Sequence, residues 1–288
     1  MDHQDELARR FEQDRGHLRS VAYRMLGSLS EADDAVQEAW LRLSRSDVSE
    51  VSNLTGWLTT VVSRVCLDML RSRKSRREDP IDTWVPDPMV SRLDPEEEAL
   101  QSDAVGLALL VVLETLSPAE RLAFVLHDLF GVSFDEIASI IDKSSAATRQ
   151  LASRARRRVQ GARTGDGDAG RQREVIEAFL AASRSGDFEG LLALLHPDVV
   201  LRADAGAVPA DALAASRLVR GAREVVEQAL LFARMSPYTQ VATVNGAPGV
   251  ITVLNGELFG VMAVEVRDGR IVEINILADA ARLRALEN

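Results

Sequence analysis

Cysteine is almost missing from this chain. Cys66 is the only one among 288 residues, so no internal disulfide can form, and with Val62, Val65 and Leu67 beside it the thiol reads as a small packed hydrophobe. Histidine is nearly as scarce, with four in the chain. His127 has no neighbouring carboxylate, histidine or cysteine at ligand spacing, so it reads as a core or boundary residue, and no metal or cofactor is expected. Long apolar runs are absent as well. The longest, Val105 to Leu113, falls far short of the ~18 residues a membrane span requires. The opening Met1-Asp2-His3-Gln4-Asp5-Glu6 has neither a cationic nor an apolar leader segment, so a cytoplasmic protein with no membrane partner is expected. What remains is ordinary globular composition, 46% hydrophobic, with a length that favours about two domains.

Charge is lopsided. The net charge of −10 argues at first against a nucleic-acid binder, but its distribution decides the matter. Between Arg64 and Arg77 the basic residues Arg64, Arg71, Arg73, Lys74, Arg76 and Arg77 face a single acid, Asp68, and from Lys143 to Arg163 there is no acid at all. Two cationic patches therefore sit in an acidic chain.

The second patch lies in SFDEIASIIDKSSAATRQLASRARRR, residues 133–158. Ser133 and Glu136 form a capping box that starts a helix, and Phe134, Ile137, Ile140 and Ile141 give it one buried face. Asp142-Lys143-Ser144 breaks the pattern, and Ser145 is placed to cap a second helix. On that helix Ala147, Leu151, Ala155 and Val159 share one stripe. Ala146, Arg149, Gln150, Ser153, Arg156 and Arg157 face outward, small at the front and cationic behind. A recognition helix needs this shape, because its first residues approach base edges while later arginines hold phosphates. The competing reading is a solvated arginine-rich helix end, which the helix dipole favours by itself.

Upstream, Leu7, Phe11, Leu18, Val21, Ala22, Met25 and Leu26 predict an amphipathic helix ended by Gly27. Ser30 is placed to cap a second helix with Ala32, Ala35, Val36, Ala39, Trp40 and Leu43 inward, leaving Asp33, Asp34, Gln37 and Glu38 exposed together. Thr55 opens a third, with Trp57, Leu58, Val61, Val62, Val65, Met69 and Leu70 inward. Farther on, Ser117-Pro118-Ala119-Glu120 is another helix start, and Gly131 ends that helix.

These stretches resemble a known family. SEADDAVQEAWLRL followed by GWLTTVVSRVCLDMLRSRKSRRE resembles region two of the extracytoplasmic-function sigma factors of the sigma-70 family. LSPAERLAFVLHDLFGVSFDEIA with the helix-turn-helix resembles region four. The resemblance implies that Asp33, Asp34, Gln37 and Glu38 dock on the coiled coil of the beta-prime subunit of the RNA polymerase core. It implies that the loop from Asp47 to Leu54, including Asn53, and the following helix with Arg64 open the minus-ten element of promoter DNA. Arg71, Arg73, Lys74, Arg76 and Arg77 would hold its backbone. Arg64 departs from the asparagine that many members carry. Ser145, Ala146, Arg149, Gln150, Ser153, Arg156 and Arg157 would then read the minus-thirty-five element.

Pro80, Pro86, Pro88 and Pro95 make residues 79–98 a linker with an extended path. Within it Trp84-Val85-Pro86-Asp87-Pro88 resembles a tryptophan-leucine-proline motif of the subgroup that carries a C-terminal SnoaL-like extension, with valine in place of leucine. The resemblance implies that the C-terminal domain covers Trp84. From the residues alone, Trp84 stapling the linker to its nearest helix is equally open. After a hydrophilic hinge, two amphipathic helices and a strand at Val199 to Leu201 lead to three hairpin signals, Asn245-Gly246, Asn255-Gly256 and Asp268-Gly269. Helices followed by an antiparallel meander resemble the SnoaL-like, NTF2-type cone. Arg202 and Asp204 are candidates for a pocket in that cone, or for a surface ion pair. Asp204-Ala205-Gly206-Ala207 and Asp279-Ala280-Ala281-Arg282-Leu283 match two of the subgroup's motifs only in part.

The expected fold is multi-domain: two all-α helical sigma domains, the second with a helix-turn-helix, followed by an α+β NTF2/SnoaL-like cone. The expected boundaries are 1–78, a linker at 79–98, 99–162, a hinge at 163–170 and 171–288. The expected function is a promoter-reading transcription initiation factor, not an enzyme, whose partners are RNA polymerase core, promoter DNA and its own C-terminal domain. A stand-alone helix-turn-helix regulator is one alternative. The other is a SnoaL-type enzyme or ligand sensor fused to a DNA-binding front.

Overall fold

The structure is a computed structural model that describes residues 3–48, 51–75, 83–91, 106–161, 168–206 and 215–286. The chain forms two compact units, one drawn from Met1–Asp79 and Val112–Ala162, the other from Pro80–Val111 and Arg163–Asn288. The fold class is helical domains followed by an α+β sheet domain.

The first unit begins with α1 (His3–Leu26), α2 (Leu29–Leu43) and α3 (Leu54–Ser75). Gly27, at φ +70, ends α1 in the left-handed region that glycine adopts freely. The start of α2 lies one residue before Ser30, so Ser28 and not Ser30 is the N-cap residue. The two serine hydroxyls instead bond each other at 3.1 Å. On α2 the fully buried Ala32, Ala35 and Ala39 present almost no side-chain bulk to their neighbours, and α1, α2 and α3 pack mutually. The start of α3 also precedes the expected Thr55: the Asn53 side chain accepts from the Gly56 N–H at 3.0 Å and caps the helix. Thr55 Oγ1 donates to the Asp14 carboxylate at 3.0 Å instead. Cys66 is fully buried, and loss of hydration pushes its thiol pKa far up, so it stays protonated.

The second helical block contains α4 (Leu107–Glu114), α5 (Pro118–Phe124), a π-helical turn (Val125–Leu129), α6 (Phe134–Ile141) and α7 (Ser145–Gly161). Both expected capping boxes form, at Ser117 with Glu120 and at Ser133 with Glu136. The π turn was not legible in the sequence. It takes up the stretch from Val125 to Leu129 that helical periodicity assigns to one α-helix.

From Val112 onward the second block belongs to the same unit as the first, and the two touch. Buried Arg121 donates from Nη1 to the Met25 carbonyl at 2.8 Å and to Glu114 Oε1 at 2.5 Å. The Phe130 ring lies perpendicular to the His17 ring at 5.4 Å between centroids, and the Arg24 guanidinium lies 5.0 Å from its centre.

The second unit is built on a seven-stranded sheet in the order β1-β4-β5-β6-β7-β2-β3. Its strands are β1 (Val90–Ser91), β2 (Leu195–Asp204), β3 (Arg217–Arg220), β4 (Thr239–Val244), β5 (Ala247–Leu254), β6 (Glu257–Arg267) and β7 (Arg270–Leu277). All three hairpin pairs turn through positive φ, with Asn245, Asn255 and Asp268 between 51 and 54 and a glycine after each. Two features depart from a plain meander. Strand β2 returns to pair parallel with β7, and the linker supplies β1, antiparallel to β4. The helices are α8 (Ala169–Ser185), α9 (Phe188–Leu194), α10 (Ala222–Leu231) and α11 (Ala280–Leu286), with a 3-10 turn at Ala233–Tyr238. Asp168 caps α8 by accepting from the Arg171 N–H at 3.1 Å, so the last residues of the expected hinge already belong to a helix start.

Alternation along the strands sorts the side chains. Val199, Leu201, Ile271, Ile274, Val264 and Val250 pack with Ile176, Phe179, Val225 and Val226 of the helices in one apolar core. The two-residue period of β2 then turns Arg202 and Asp204 to the opposite face.

Glu120 offers a direct check on the helical unit. Its burial raises the carboxyl pKa, but bonds from the Ser117 hydroxyl and N–H and the nearby Arg158 and Arg154 guanidinia outweigh this and hold it below the ordinary value. A depressed carboxylate stabilises the fold above its unfolded pKa and loses that contribution as pH falls through the folded one. Glu120→Gln should therefore lose about 1 kcal/mol at neutral pH, the usual worth of a helix cap, measured by chemical denaturation. The difference from the parent should begin to shrink below about pH 4.3, the ordinary unfolded value, and close only as pH falls through the lower folded one; a difference that does not shrink on acidification contradicts the assignment.

Candidate nucleic-acid interface

The acidic residues of α2 are exposed or half-buried, and not all are idle. Arg19 Nε and Nη2 donate to the two Asp33 oxygens at 2.7 and 3.2 Å, and this bond raises the guanidinium pKa further. Glu38 accepts from Arg42 Nε at 2.8 Å. Asp34 and Gln37 lie exposed beside them, so α2 presents a negative ridge braced by two arginines.

The residues expected at the minus-ten element are divided among several tasks. The Asn53 amide caps α3. Arg64 Nη2 donates to the Ser139 carbonyl of α6 at 3.3 Å, tying the face of α3 to the helix-turn-helix block. Arg71 approaches Asp68 only to 4.0 Å. Arg73 pairs closely with Glu31 and donates to the Leu26 carbonyl at 3.4 Å. The side chain of Lys74, and Arg76 and Arg77, lie outside the described residues.

The helix-turn-helix is made by α6 and α7. Asp142 reverses the chain in the left-handed region, φ 53 and ψ 52. Its short polar side chain tolerates that conformation better than most residues do. The cap of α7 is Ser144, whose Oγ accepts from the Ala147 N–H at 3.2 Å, one residue before the expected Ser145. Ser145 instead donates its hydroxyl to Asp135. The buried stripe of α7 is also rotated from expectation: Thr148, Leu151, Ala152 and Ala155 are buried, while Ala147 and Val159 are partly exposed. Thr148 escaped the hydrophobic pattern because it is polar; its hydroxyl is satisfied by the Ser144 carbonyl at 3.0 Å.

The outward face keeps Ala146, Arg149, Gln150, Ser153 and Arg157 exposed. Arg156 is partly buried and bonds Asp128 at 2.5 Å. Arg154 and Arg158 lean on Glu120 at 3.6 and 3.4 Å. The arginine run is thus sorted by its neighbours, with Arg149 and Arg157 the exposed members not engaged in an ion pair among the described residues.

The linker motif lies against the sheet of its own unit. Pro86, Asp87 and Pro88 are buried, while Trp84 is half-buried. Arg282 of α11 is the hub: Nε donates to Asp87 Oδ1 at 2.6 Å, Nη1 to Asp204 Oδ2 at 2.7 Å and Nη2 to the Val85 carbonyl at 2.5 Å. Its guanidinium lies 5.3 Å from the centre of the Trp84 ring. Asp204 also accepts from the Val85 N–H at 3.2 Å. A residue pair completes the seam: the Asn245 side chain accepts from the Met89 N–H at 2.9 Å, and the Asn245 N–H donates to the Met89 carbonyl at 2.8 Å. Val90 and Ser91 then pair with Val244 and Thr243.

Arg202 and Asp204, candidates for one pocket, have separate tasks. Arg202 pairs with Glu273 and reaches Asn275 Oδ1 at 3.4 Å, whereas Asp204 belongs to the linker seam. Asp87, Asn245 and Arg282 were not among the expected site residues. The only signal for Arg282 was its place in a partial motif match.

The sigma-70 region 2 family profile matches residues 10–76, and the sigma-70 region 4 profile matches residues 106–159. The chain is 42% identical over 280 residues to the ECF RNA polymerase sigma factor SigJ of Mycobacterium tuberculosis, covering 91% of this chain and 88% of that one. It is 37% identical over 293 residues to the probable ECF RNA polymerase sigma factor SigI of the same species, covering 99% and 98%. The crystal structure of M. tuberculosis SigJ superposes with a TM-score of 0.74 at 38% identity, covering 96% of this chain and 98% of that one.

Arg282→Ala leaves two buried carboxylates facing each other. Breaking a buried pair costs ~3–5 kcal/mol, and the partial exposure of this arginine lowers the expected loss for the second unit to about 2–3 kcal/mol. Amide exchange at Val85 and Met89 should accelerate with it. Unchanged protection at both amides would show that Arg282 does not hold the linker.

Proposed function

Because the chain belongs to the extracytoplasmic-function RNA polymerase sigma factors, we propose that its two helical blocks form a two-part promoter grip whose reach is governed in cis by the sheet domain. Sigma factors act with RNA polymerase and promoter DNA. The finer assignments are our reading: Asp33, Asp34, Gln37 and Glu38 face the beta-prime coiled coil, the α3 face with Arg64 and Arg71 meets the minus-ten element, and α7 reads the minus-thirty-five element.

The observation that carries the cis control is the Arg282 hub. It fixes the one chain segment that joins the two helical blocks to the surface of the C-terminal sheet. A tethered domain acts at millimolar-range effective concentration without needing a high-affinity contact. The sheet domain is read as regulatory and not catalytic, because both of its polar clusters, Arg202 with Glu273 and Asn275 and Arg282 with Asp87 and Asp204, are occupied with internal bonds.

The packing of the helical blocks adds a mechanical requirement. Promoter elements centred about 25 base pairs apart lie ~85 Å apart at ~3.4 Å per step, whereas a folded unit of this size has a radius of gyration near ~14 Å. The blocks must separate to touch both elements at once. Releasing Arg64 from Ser139 and Phe130 from His17 and Arg24 belongs to that opening, and binding of polymerase to the acidic ridge supplies the free energy for it. A stand-alone regulator would need no such opening and would hold duplex DNA alone.

Transcription in vitro decides between these readings. Full-length protein with polymerase core should give promoter-specific transcripts, and the Asp34→Asn/Glu38→Gln double variant should lower core capture about tenfold, roughly 1.4 kcal/mol, with its melting temperature unchanged. Tight specific binding to duplex DNA without core, together with no transcript in its presence, would overturn the proposal.

A further inference from the structure

Phe134, the first residue of α6, carries two side chains on its ring. The His127 imidazole stacks on it at 3.8 Å between centroids and 28° between planes, and the Arg149 guanidinium lies 5.4 Å from its centre. His127 is itself fixed. It sits in the π turn, and its Nδ1 donates to the Val132 carbonyl at 3.0 Å, which sets both the tautomer and the ring plane. A π turn inserts an extra residue into a helical course and re-aims the side chains on it. Here it places an imidazole where a helical repeat alone would not announce one.

We propose that His127 and Phe134 are positioning residues for Arg149, forming a column that pre-aims its guanidinium at one base of the upstream promoter element. The inference rests on the reading of Arg149 as a base contact. Its physical basis is preorganisation. A long guanidinium side chain loses rotamer freedom when it docks, and holding it over an aromatic face beforehand reduces that loss. The geometry must also be planar, because bidentate reading of a purine edge needs the guanidinium fork in one plane. Arg157 provides the contrast: it is exposed on the same helix without such a ring contact among the described residues, so it suits a phosphate, which accepts a cation from many directions.

The test uses the full-length chain with polymerase core on a promoter series in which each upstream base is changed in turn. Arg149→Ala should erase discrimination at one position. Phe134→Leu and His127→Ala should each lower discrimination at that same position by about twofold to fivefold, which is ~0.5–1 kcal/mol for an exposed cation–π contact at ~1.4 kcal/mol per tenfold. The Phe134→Leu/Arg149→Ala double variant should be no worse than Arg149→Ala, and His127→Phe, which keeps a ring on Phe134, should restore the preference. Equal loss at all promoters with a lowered melting temperature would mean a merely structural role and overturn the column. So would full retention of the preference in Phe134→Leu, or additivity in the double variant. If Arg149→Ala alone alters no single position, the base-reading assignment fails first, and that result is visible without the other variants.

Discussion

A guanidinium held between two buried carboxylates is the contact on which this architecture depends. Arg282 could not be withdrawn from water so far without Asp87 and Asp204 opposite it, and neither carboxylate would be stable there without the arginine. The three come from the linker, the end of β2 and the last helix. Their mutual dependence joins segments nearly two hundred residues apart in sequence. The Val85 backbone and the Trp84 ring complete the ligation, so the linker is held by its main chain as much as by its side chains. The strand pairing of Val90 and Ser91 then extends the hold along the sheet edge, covering backbone groups that an open edge would expose.

The same economy of charge runs through the helical unit. An acidic chain that carries strongly cationic helices needs partners for those cations, and it supplies them internally: Asp128 for Arg156, Glu120 for Arg154 and Arg158, Glu31 for Arg73. Each pair sets how readily its arginine exchanges an internal carboxylate for a phosphate. The result is graded. Arg149 and Arg157 remain available, Arg154 and Arg158 share one carboxylate, and Arg156 is held closely. Under the proposed function, such a distribution leaves only a few cations to release counterions from DNA, which favours weak binding without a polymerase partner.

Much of this was legible in the sequence where the physics is local. The two capping boxes, the glycine at the end of α1 and the three Asn-Gly or Asp-Gly hairpins depend on neighbours within a few residues, and they form. Cap positions slipped by a residue or two where several serines compete, as at Ser28 with Ser30 and Ser144 with Ser145. The sequence could not show what depends on distant partners. Parallel pairing of β2 with β7, the linker strand β1 and the meeting of Asp87, Asp204 and Arg282 have no local signature. The burial of Thr148 hides behind its hydroxyl, and the π turn at Val125–Leu129 hides behind an unbroken apolar pattern. Candidate site residues were separated for the same reason: Arg202 and Asp204 are near neighbours on one strand, yet each answers to a partner that only the folded sheet brings near.

The central proposal is that the sheet domain, through its hold on the linker, sets how far apart the two helical blocks can work. The most direct measurement is transcription by reconstituted holoenzyme from promoters whose two elements are moved apart one base pair at a time, comparing the full-length chain with Asp87→Asn. The account predicts a narrow optimum in spacing for the parent chain and a broadened or shifted one for the variant. Superimposable profiles would contradict it.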